Sequence, residues 1–256
     1  MNQLLTEEKT RFPSSDIIGT KVSALGFNDA VEAILRWSQR KEHRVVCVCN
    51  VHMVVEASKD ASLSEILGRA DMVASDGMPL VWLMKRRGLN KAERVAGPDL
   101  LASILERAGS DGPSVYFFGG SPATIEAMKA AIASRFSALK VAGYEAPPML
   151  PARPPVNNQV VDRIRQSGAH IVFVGLGCPK QEYWMAAHSP HIPAVLIGVG
   201  AAFDFLAGTV PRAPMWMQRS GLEWLFRLLS EPRRLWRRYL KTNALFLWHL
   251  LTSRRR

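Results

Sequence analysis

From about residue 44 to residue 200 the chain alternates between two hydrophobic patterns. Short continuous apolar runs, rich in β-branched residues, stop at Asn, Asp or Gly. Stretches with apolar residues three and four apart follow them. The short runs are Arg44–Cys49 before Asn50, Asp71–Ser75 before Asp76-Gly77, and Ser114–Phe118 before Gly119-Gly120. His170–Val174 before Gly175-Leu176-Gly177 and Ala194–Val199 before Gly200 complete the set. Such runs are buried strands of a parallel sheet, covered on both faces. Helices are expected over 51–67, 98–108, 122–136, 156–166 and 180–188, with a further strand at Lys140–Tyr144. Residues 147–155 hold five prolines and must form a loop. Strand, turn, helix, strand at this spacing builds βαβ units, hence an α/β fold with a mostly parallel sheet and flanking helices. Ligands of such sheets sit outside the carboxyl ends of the strands. That rule singles out Asn50, Asp76-Gly77, Gly119-Gly120, Gly175–Gly177 and Gly198–Gly200.

The pattern changes at both ends. Residues 1–15 form a loose polar start, and 16–210 form the α/β domain. From Pro211 onward basic residues crowd among large apolar ones. Eleven Arg and Lys face two Glu in that segment, so it carries +9 of the chain's net +11. Such a block asks for an anionic partner. Ser220-x-x-Glu223 reads as a capping box that opens one helix, Pro232 interrupts the pattern, and Ser230 reads as the cap of the next. At ~100° per residue, Arg233, Arg234, Arg237, Arg238 and Lys241 cluster within an arc of ~140°. Leu235, Trp236, Tyr239 and Leu240 occupy the opposite arc. Residues 211–256 therefore read as a basic amphipathic appendage whose partner is an anionic membrane surface. The last apolar stretch, Ala244–Leu251, is too short to span a bilayer, and no run of ~20 apolar residues exists elsewhere. With Glu7, Glu8 and Lys9 in place of an apolar leader, the expected location is the cytoplasm, peripheral on the inner membrane face.

Composition changes this picture little. The chain has 256 residues, 48% hydrophobic and 21% charged, enough for a real core. Its three cysteines, Cys47, Cys49 and Cys178, are odd in number and lack CxxC spacing. That speaks against a disulfide framework or a zinc site, and Cys47 and Cys49 read as small core residues on one strand face.

For chemistry, GLGCPK (Gly175–Lys180), GVGAAF (Gly198–Phe203) and FFGGSP (Phe117–Pro122) each leave two readings open. One is a tight strand-to-helix turn. The other is a phosphate cradle of backbone N–H groups, with Lys180 adding charge to the first. Asp76 reads either as a cap or as a general base tuned by partial burial. Asp99 and Asp204 read as caps or turn formers, and Arg94 as a salt bridge or an anion clamp. The chain has no Asp-x-Asp pair, no HxxxH and no CxxC, so no metal or other cofactor is expected. A ligand's diphosphate charge falls to Arg, Lys and N–H groups.

Seven blocks, CNVHMVVEA, ADMVASDGMPLVW, RVAGPDL, FFGGSP, VFVGLGCPKQEYW, GVGAAFDFLAGTVPRAP and GLEWLFRLLSEPRRLWRRY, follow one another in order. Through them the chain, from about Ile17 to Tyr239, resembles the WecG/TagA/CpsF glycosyltransferases (glycosyltransferase family 26). The resemblance implies a Rossmann-like domain with a helical C-terminal appendage. It also implies metal-independent, inverting transfer of a hexose-type sugar from a UDP-sugar to a polyprenyl-diphosphate-linked sugar, in exopolysaccharide, capsule or cell-wall glycopolymer synthesis. On it, Asp76 is the base. Asn50, Gly77, Arg94, Gly119, Gly120, Gly175, Gly177, Lys180, Gln181, Glu182 and Gly200 are expected at the substrates, with Arg212 or Arg227 as an arginine from the tail. Family members often carry Thr two residues before the asparagine; Val48 stands there, which bears on the substrate more than on the reaction. A homo-oligomer stays open. The rival reading is a non-catalytic or redox nucleotide-binding protein with a nucleic-acid-binding tail. Against it, no third glycine with a downstream acidic ribose partner is present, and large aliphatics interrupt the basic tail.

Overall fold

The computed structural model describes residues 12–253. The elements run β1 (Ser14–Ile17), β2 (Thr20–Ser23), α1 (Phe27–Gln39), β3 (Arg44–Cys49), α2 (Val51–Ala57), α3 (Ala61–Arg69), β4 (Met72–Ser75) and α4 (Met78–Arg86). After them come α5 (Gly97–Ala108), β5 (Val115–Gly119), α6 (Pro122–Arg135), β6 (Val141–Glu145), α7 (Asn158–Gln166), β7 (Ile171–Gly175), α8 (Lys180–His188) and β8 (Val195–Gly198). Helices α9 (Ala202–Leu206), α10 (Met215–Arg219), α11 (Glu223–Ser230) and α12 (Pro232–Ser253) close the chain.

The strands form one eight-stranded sheet in the order β1-β2-β4-β3-β8-β7-β5-β6. Only β1 runs antiparallel to its neighbour. The arrangement is Rossmann-like. Two buried clusters lie on its faces. Cys47, Cys49, Val172, Val174 and Leu196 face α2, α3, α7 and α8. Val46, Val48, Ile171, Phe173 and Ile197 face α1, α5, α6 and α9. The central strands are thus apolar along nearly their whole length because both faces are covered; Arg44, at the start of β3, pairs with Glu42 and Asp71.

Some expectations shift. The helix expected over 51–67 is two helices, because Asp60 accepts N–H bonds from Ser62 and Leu63 and starts α3 anew. Ser14 and Ser15 pair with Val22 and Ser23 in β1–β2 and are not part of a loose start; residues 1–11 lie outside the described set. Glu223 is no capping-box partner of Ser220. The Ser220 hydroxyl donates back to the Trp216 carbonyl, and α11 has no side-chain cap. Ser230 likewise ends α11 and donates to the Phe226 carbonyl.

The chain leaves β3 toward β4, whereas β8 is reached from β7 on the other side. The carboxyl ends of the adjacent strands β3 and β8 therefore border the crevice where the winding direction reverses. Helix α12 packs along α2 and closes this crevice, with Leu235, Thr242 and Phe246 buried on its inner stripe. Thr242 Oγ1 lies 3.4 Å from His52 Nδ1.

Gly119 at the tip of β5 has φ +126°, and an added Cβ would lie 2.6 Å from the Gly175 backbone. Gly119→Ala is expected to destabilise the fold by about 2–4 kcal/mol through strain and backbone collision. Urea unfolding measures this; a midpoint equal to wild type would show that the two strand tips do not need this contact.

Candidate active site

The site grows from the end of β4. The Asp76 N–H donates to the Cys49 carbonyl at 2.7 Å, holding the strand tip against β3. The segment after α4 then runs back beside this tip. The Val95 N–H donates to the Ser75 carbonyl at 2.7 Å, and the Ser75 hydroxyl donates to the Glu93 carbonyl at 2.8 Å. These two bonds place Arg94 over the strand end. Its Nε donates to the Asp76 carbonyl at 2.7 Å and its Nη2 to Asp76 Oδ1 at 3.2 Å. The same Nη2 donates to Glu223 Oε2, from α11, at 2.5 Å. Both readings offered by the sequence for Arg94 concern anions; in the structure it pairs with two carboxylates.

Burial pushes the Asp76 carboxyl above its ordinary value. The Arg94 cation opposes that rise, and the Glu223 charge adds to it. A quarter of the Asp76 side chain (24%) stays accessible, on the wall of a cavity of about 860 Å³.

This cavity joins four strand tips. Asn50 after β3, Asp76 and Gly77 after β4, Gly175 and Gly177 after β7, and Gly200 after β8 all line it, with Gln181 from α8. Asn50 also caps α2, its Oδ1 accepting the Met53 N–H at 3.1 Å. Asp204, read as a turn former, also lines the cavity and accepts from Thr124 Oγ1 at 3.3 Å.

Other residues expected at the substrates lie off this wall. Gly119 and Gly120 are occupied with β7, the Gly120 N–H donating to the Gly175 carbonyl at 3.1 Å. The Lys180 ammonium turns to the proline-rich loop and donates to the Leu150 carbonyl at 2.8 Å. Arg212 is held by Asp99 in two bonds of 2.5 and 2.7 Å, at the first turn of α5. A bidentate pair of this kind fixes both partners.

Glu182 is fully buried behind the wall. Its Oε1 accepts from Gln181 Nε2 at 2.7 Å, while Gln181 Oε1 accepts the Gly200 N–H at 3.0 Å. Glu182 thereby orients the side chain that ties α8 to the β8 turn. Burial lifts its carboxyl to about 7, against hydrogen bonds that lower it. The thiols of Cys47, Cys49 and Cys178 around it are raised in turn, by burial first and by the Glu182 charge second. Cys47 and Cys49 sit in the core as small apolar groups, whereas Cys178 is half-buried on the cavity wall.

Helices α2, α4 and α9 and the tail complete the wall, the tail through Glu223, Trp224, Arg227, Arg238, Tyr239 and Phe246 among others. Within the cavity Arg227 lies over the Phe205 ring at 5.4 Å, and the Nε atoms of Arg227 and Arg238 are buried with no hydrogen-bond partner. Of the residues assigned to the membrane face, Arg238 and Tyr239 thus belong to the cavity. The apolar arc expected opposite the arginines is divided. Leu235 is buried, whereas Trp236 (48% exposed) and Leu240 (68% exposed) face out beside Arg233, Arg237 and Lys241. The side chain of Arg234 lies outside the described set. The reason is the tertiary partner: α12 turns its 235-242-246 stripe to the core, and arcs drawn from sequence alone cannot know which stripe α2 will cover. Trp82, Arg86, Trp224 and Glu223 had no signal marking them for the site; only the fold of the tail over α4 brings them in. Gly221 shows how close that approach is, since an added Cβ would lie 3.0 Å from Met78 and Trp82.

The model of the glycosyl transferase WecG/TagA/CpsF family matches residues 15–256. The chain belongs to this family.

The buried Glu182 carries a prediction. Its carboxyl titrates near the ordinary 4.5 when unfolded and about 7 when folded. The folded state therefore binds the extra proton between these values, and stability falls as pH rises from about 4.5 to 7. Glu182→Gln removes this dependence. The variant is expected to gain stability relative to wild type between pH 5 and pH 8, by about 3 kcal/mol at most. Chemical denaturation at both pH values measures it; a difference that does not change with pH would refute the buried-acid assignment.

Proposed function

We propose that this WecG/TagA/CpsF glycosyltransferase moves a hexose-type sugar from a UDP-sugar to a polyprenyl-diphosphate-linked sugar, with inversion and without a metal. The observation that carries the reading is Asp76: a strand-tip carboxylate, raised by burial, open to a large cavity and oriented by Arg94. Asp76 takes the proton of the acceptor hydroxyl. That oxygen bonds to the anomeric carbon as the bond from this carbon to the diphosphate oxygen breaks on the opposite face. The electron pair leaves with the nucleoside diphosphate. A cavity of about 860 Å³ falls within the usual range for a ligand of this size. Arg227 and Arg238 are the cations placed to receive departing phosphate charge, in preference to Arg212, which Asp99 neutralises. Asn50, Gln181 and the turn at Gly177 supply polar groups around the donor, and the Gly200 N–H holds Gln181 in place.

The acceptor's lipid places the enzyme at the inner membrane surface. Among the described residues, no helix is long and apolar enough to cross a membrane. The outer side of α12 instead exposes Trp236, Leu240, Trp248 and Leu251, with Arg233, Arg237 and Lys241 beside them. Apolar and basic groups on one face suit an anionic interface.

Asp76→Asn keeps the shape and removes the base. Turnover is expected to drop by about two to four orders of magnitude, with the wild type fully active in excess EDTA. A donor screen against a short-chain prenyl-diphosphate sugar, read by mass spectrometry, measures both. Near-normal turnover of Asp76→Asn would overturn the base assignment. Loss of activity in EDTA that magnesium restores would overturn metal independence.

For the membrane reading, Leu240, Trp248 and Leu251 are exposed and lie off the cavity wall, and their replacement by Ser leaves the inner stripe intact. The triple variant is expected to lose flotation with anionic liposomes, and wild-type flotation to weaken with salt. Equal flotation of both proteins would assign the anchor elsewhere.

A further inference from the structure

The deepest coupling between the tail and the sheet is a single guanidinium. Arg94 Nη2 serves two carboxylates, and the tail's Glu223 holds it more closely than Asp76 does, at 2.5 against 3.2 Å. All three side chains are largely buried. Asp76 is fixed from its own main chain as well, since Arg94 Nε holds its carbonyl. The guanidinium is thus anchored to the aspartate's backbone while its outer nitrogen is drawn toward α11.

We propose that Glu223 is a positioning residue for Asp76: by taking the second side of the Arg94 guanidinium, it keeps that cation from pairing fully with the aspartate and so leaves the aspartate a usable base. This rests on the reading of Asp76 as the base. An aspartate alone with a buried arginine is a poor proton acceptor, because the ion pair favours the charged form. A second carboxylate on the same cation divides its field. Glu223 belongs to the tail, so docking of α11 over α4 adds to the proton affinity that burial gives the strand-tip carboxylate.

The other charged groups around Asp76 are few. Asp99, at the first turn of α5, adds a weaker repulsion and is itself neutralised by Arg212. The Cys49 thiol on β3 is raised and stays protonated. Arg86 from α4, Asp204 from α9, Arg227 from α11 and Arg238 from α12 line the cavity. None of these forms a hydrogen bond or ion pair with Arg94 as Glu223 does.

The test is a carboxyl-carbon NMR titration of the full chain, with the Asp76 signal assigned by its loss in Asp76→Asn. Glu223→Gln keeps the shape and removes the charge. It is expected to lower the Asp76 midpoint by about half a pH unit or more, roughly a threefold loss of proton affinity. The acid limb of the pH–rate profile should move the same way. Glu223→Asp retains the charge at greater distance and should fall between wild type and Glu223→Gln; it reads the same effect if the Gln variant does not fold. A midpoint unmoved or raised in these variants would overturn the proposal. If Asp76→Asn proves active, the base reading fails while the titration still measures the coupling. If Asp76→Asn is inactive and the midpoint does not move, only the role of Glu223 is lost.

Discussion

The pairing of β3 with β8 is the constraint on which the rest depends. Val46 sits against Ile197, and Cys47 against Gly198, bringing together residues some 150 positions apart in the chain. This contact joins the half of the sheet that winds toward β4 to the half that winds toward β5 and β6. The reversal of winding leaves a crevice at their shared carboxyl ends. Without it, Asn50, Asp76 and Gly200 would terminate separate strands and share no wall. The strands can make this contact because both faces of each are apolar, so either neighbour can be buried without stranding a polar group.

A second layer depends on charge. Arg94 lies between the strand tip and the tail, and both of its partners are acids held away from bulk water. Arg94 is the one cation shared by these two acids, so removing it leaves two carboxylates facing each other uncompensated, which costs far more than an exposed ion pair is worth. The tail is therefore more than a covering for the cavity. It completes an electrostatic unit that begins in the sheet. Its inner stripe, Leu235, Thr242 and Phe246, fixes the position from which Glu223 reaches Arg94 and from which Arg227 and Arg238 reach the cavity. The outer side of the same helix keeps its apolar and basic residues exposed, so one element faces the site and the surroundings at once.

Local pattern reveals an element when one face or both must be buried whatever the neighbours are. That holds for β3, β5, β7 and β8 and for α8, whose span was read to the residue. It fails where a short-range cap competes with a longer pattern, as at Asp60, which divides one expected helix into two. It fails again at Ser220 and Ser230, where the spacing of a cap is present but the hydroxyls bond backward into their own helix. At the site, the residues at strand tips were legible because the carboxyl ends of a parallel sheet share one edge. Lys180 and Arg212 show the limit of that logic. Each sits near the site in sequence, yet its charge is taken up by a carbonyl or carboxylate that folding delivers from 30 or 113 residues away.

The sequence by itself determined the α/β class, the strand tips that carry polar residues, the family and the basic character of the tail, because each follows from local pattern or from ordered blocks of residues. The tertiary structure decided which stripe of α12 is buried, which arginines enter the cavity, and that Glu223 shares Arg94 with Asp76. Those outcomes turn on which surfaces meet across long stretches of chain. Helical periodicity fixes the angles between side chains on one helix but not the rotation of that helix against its partner.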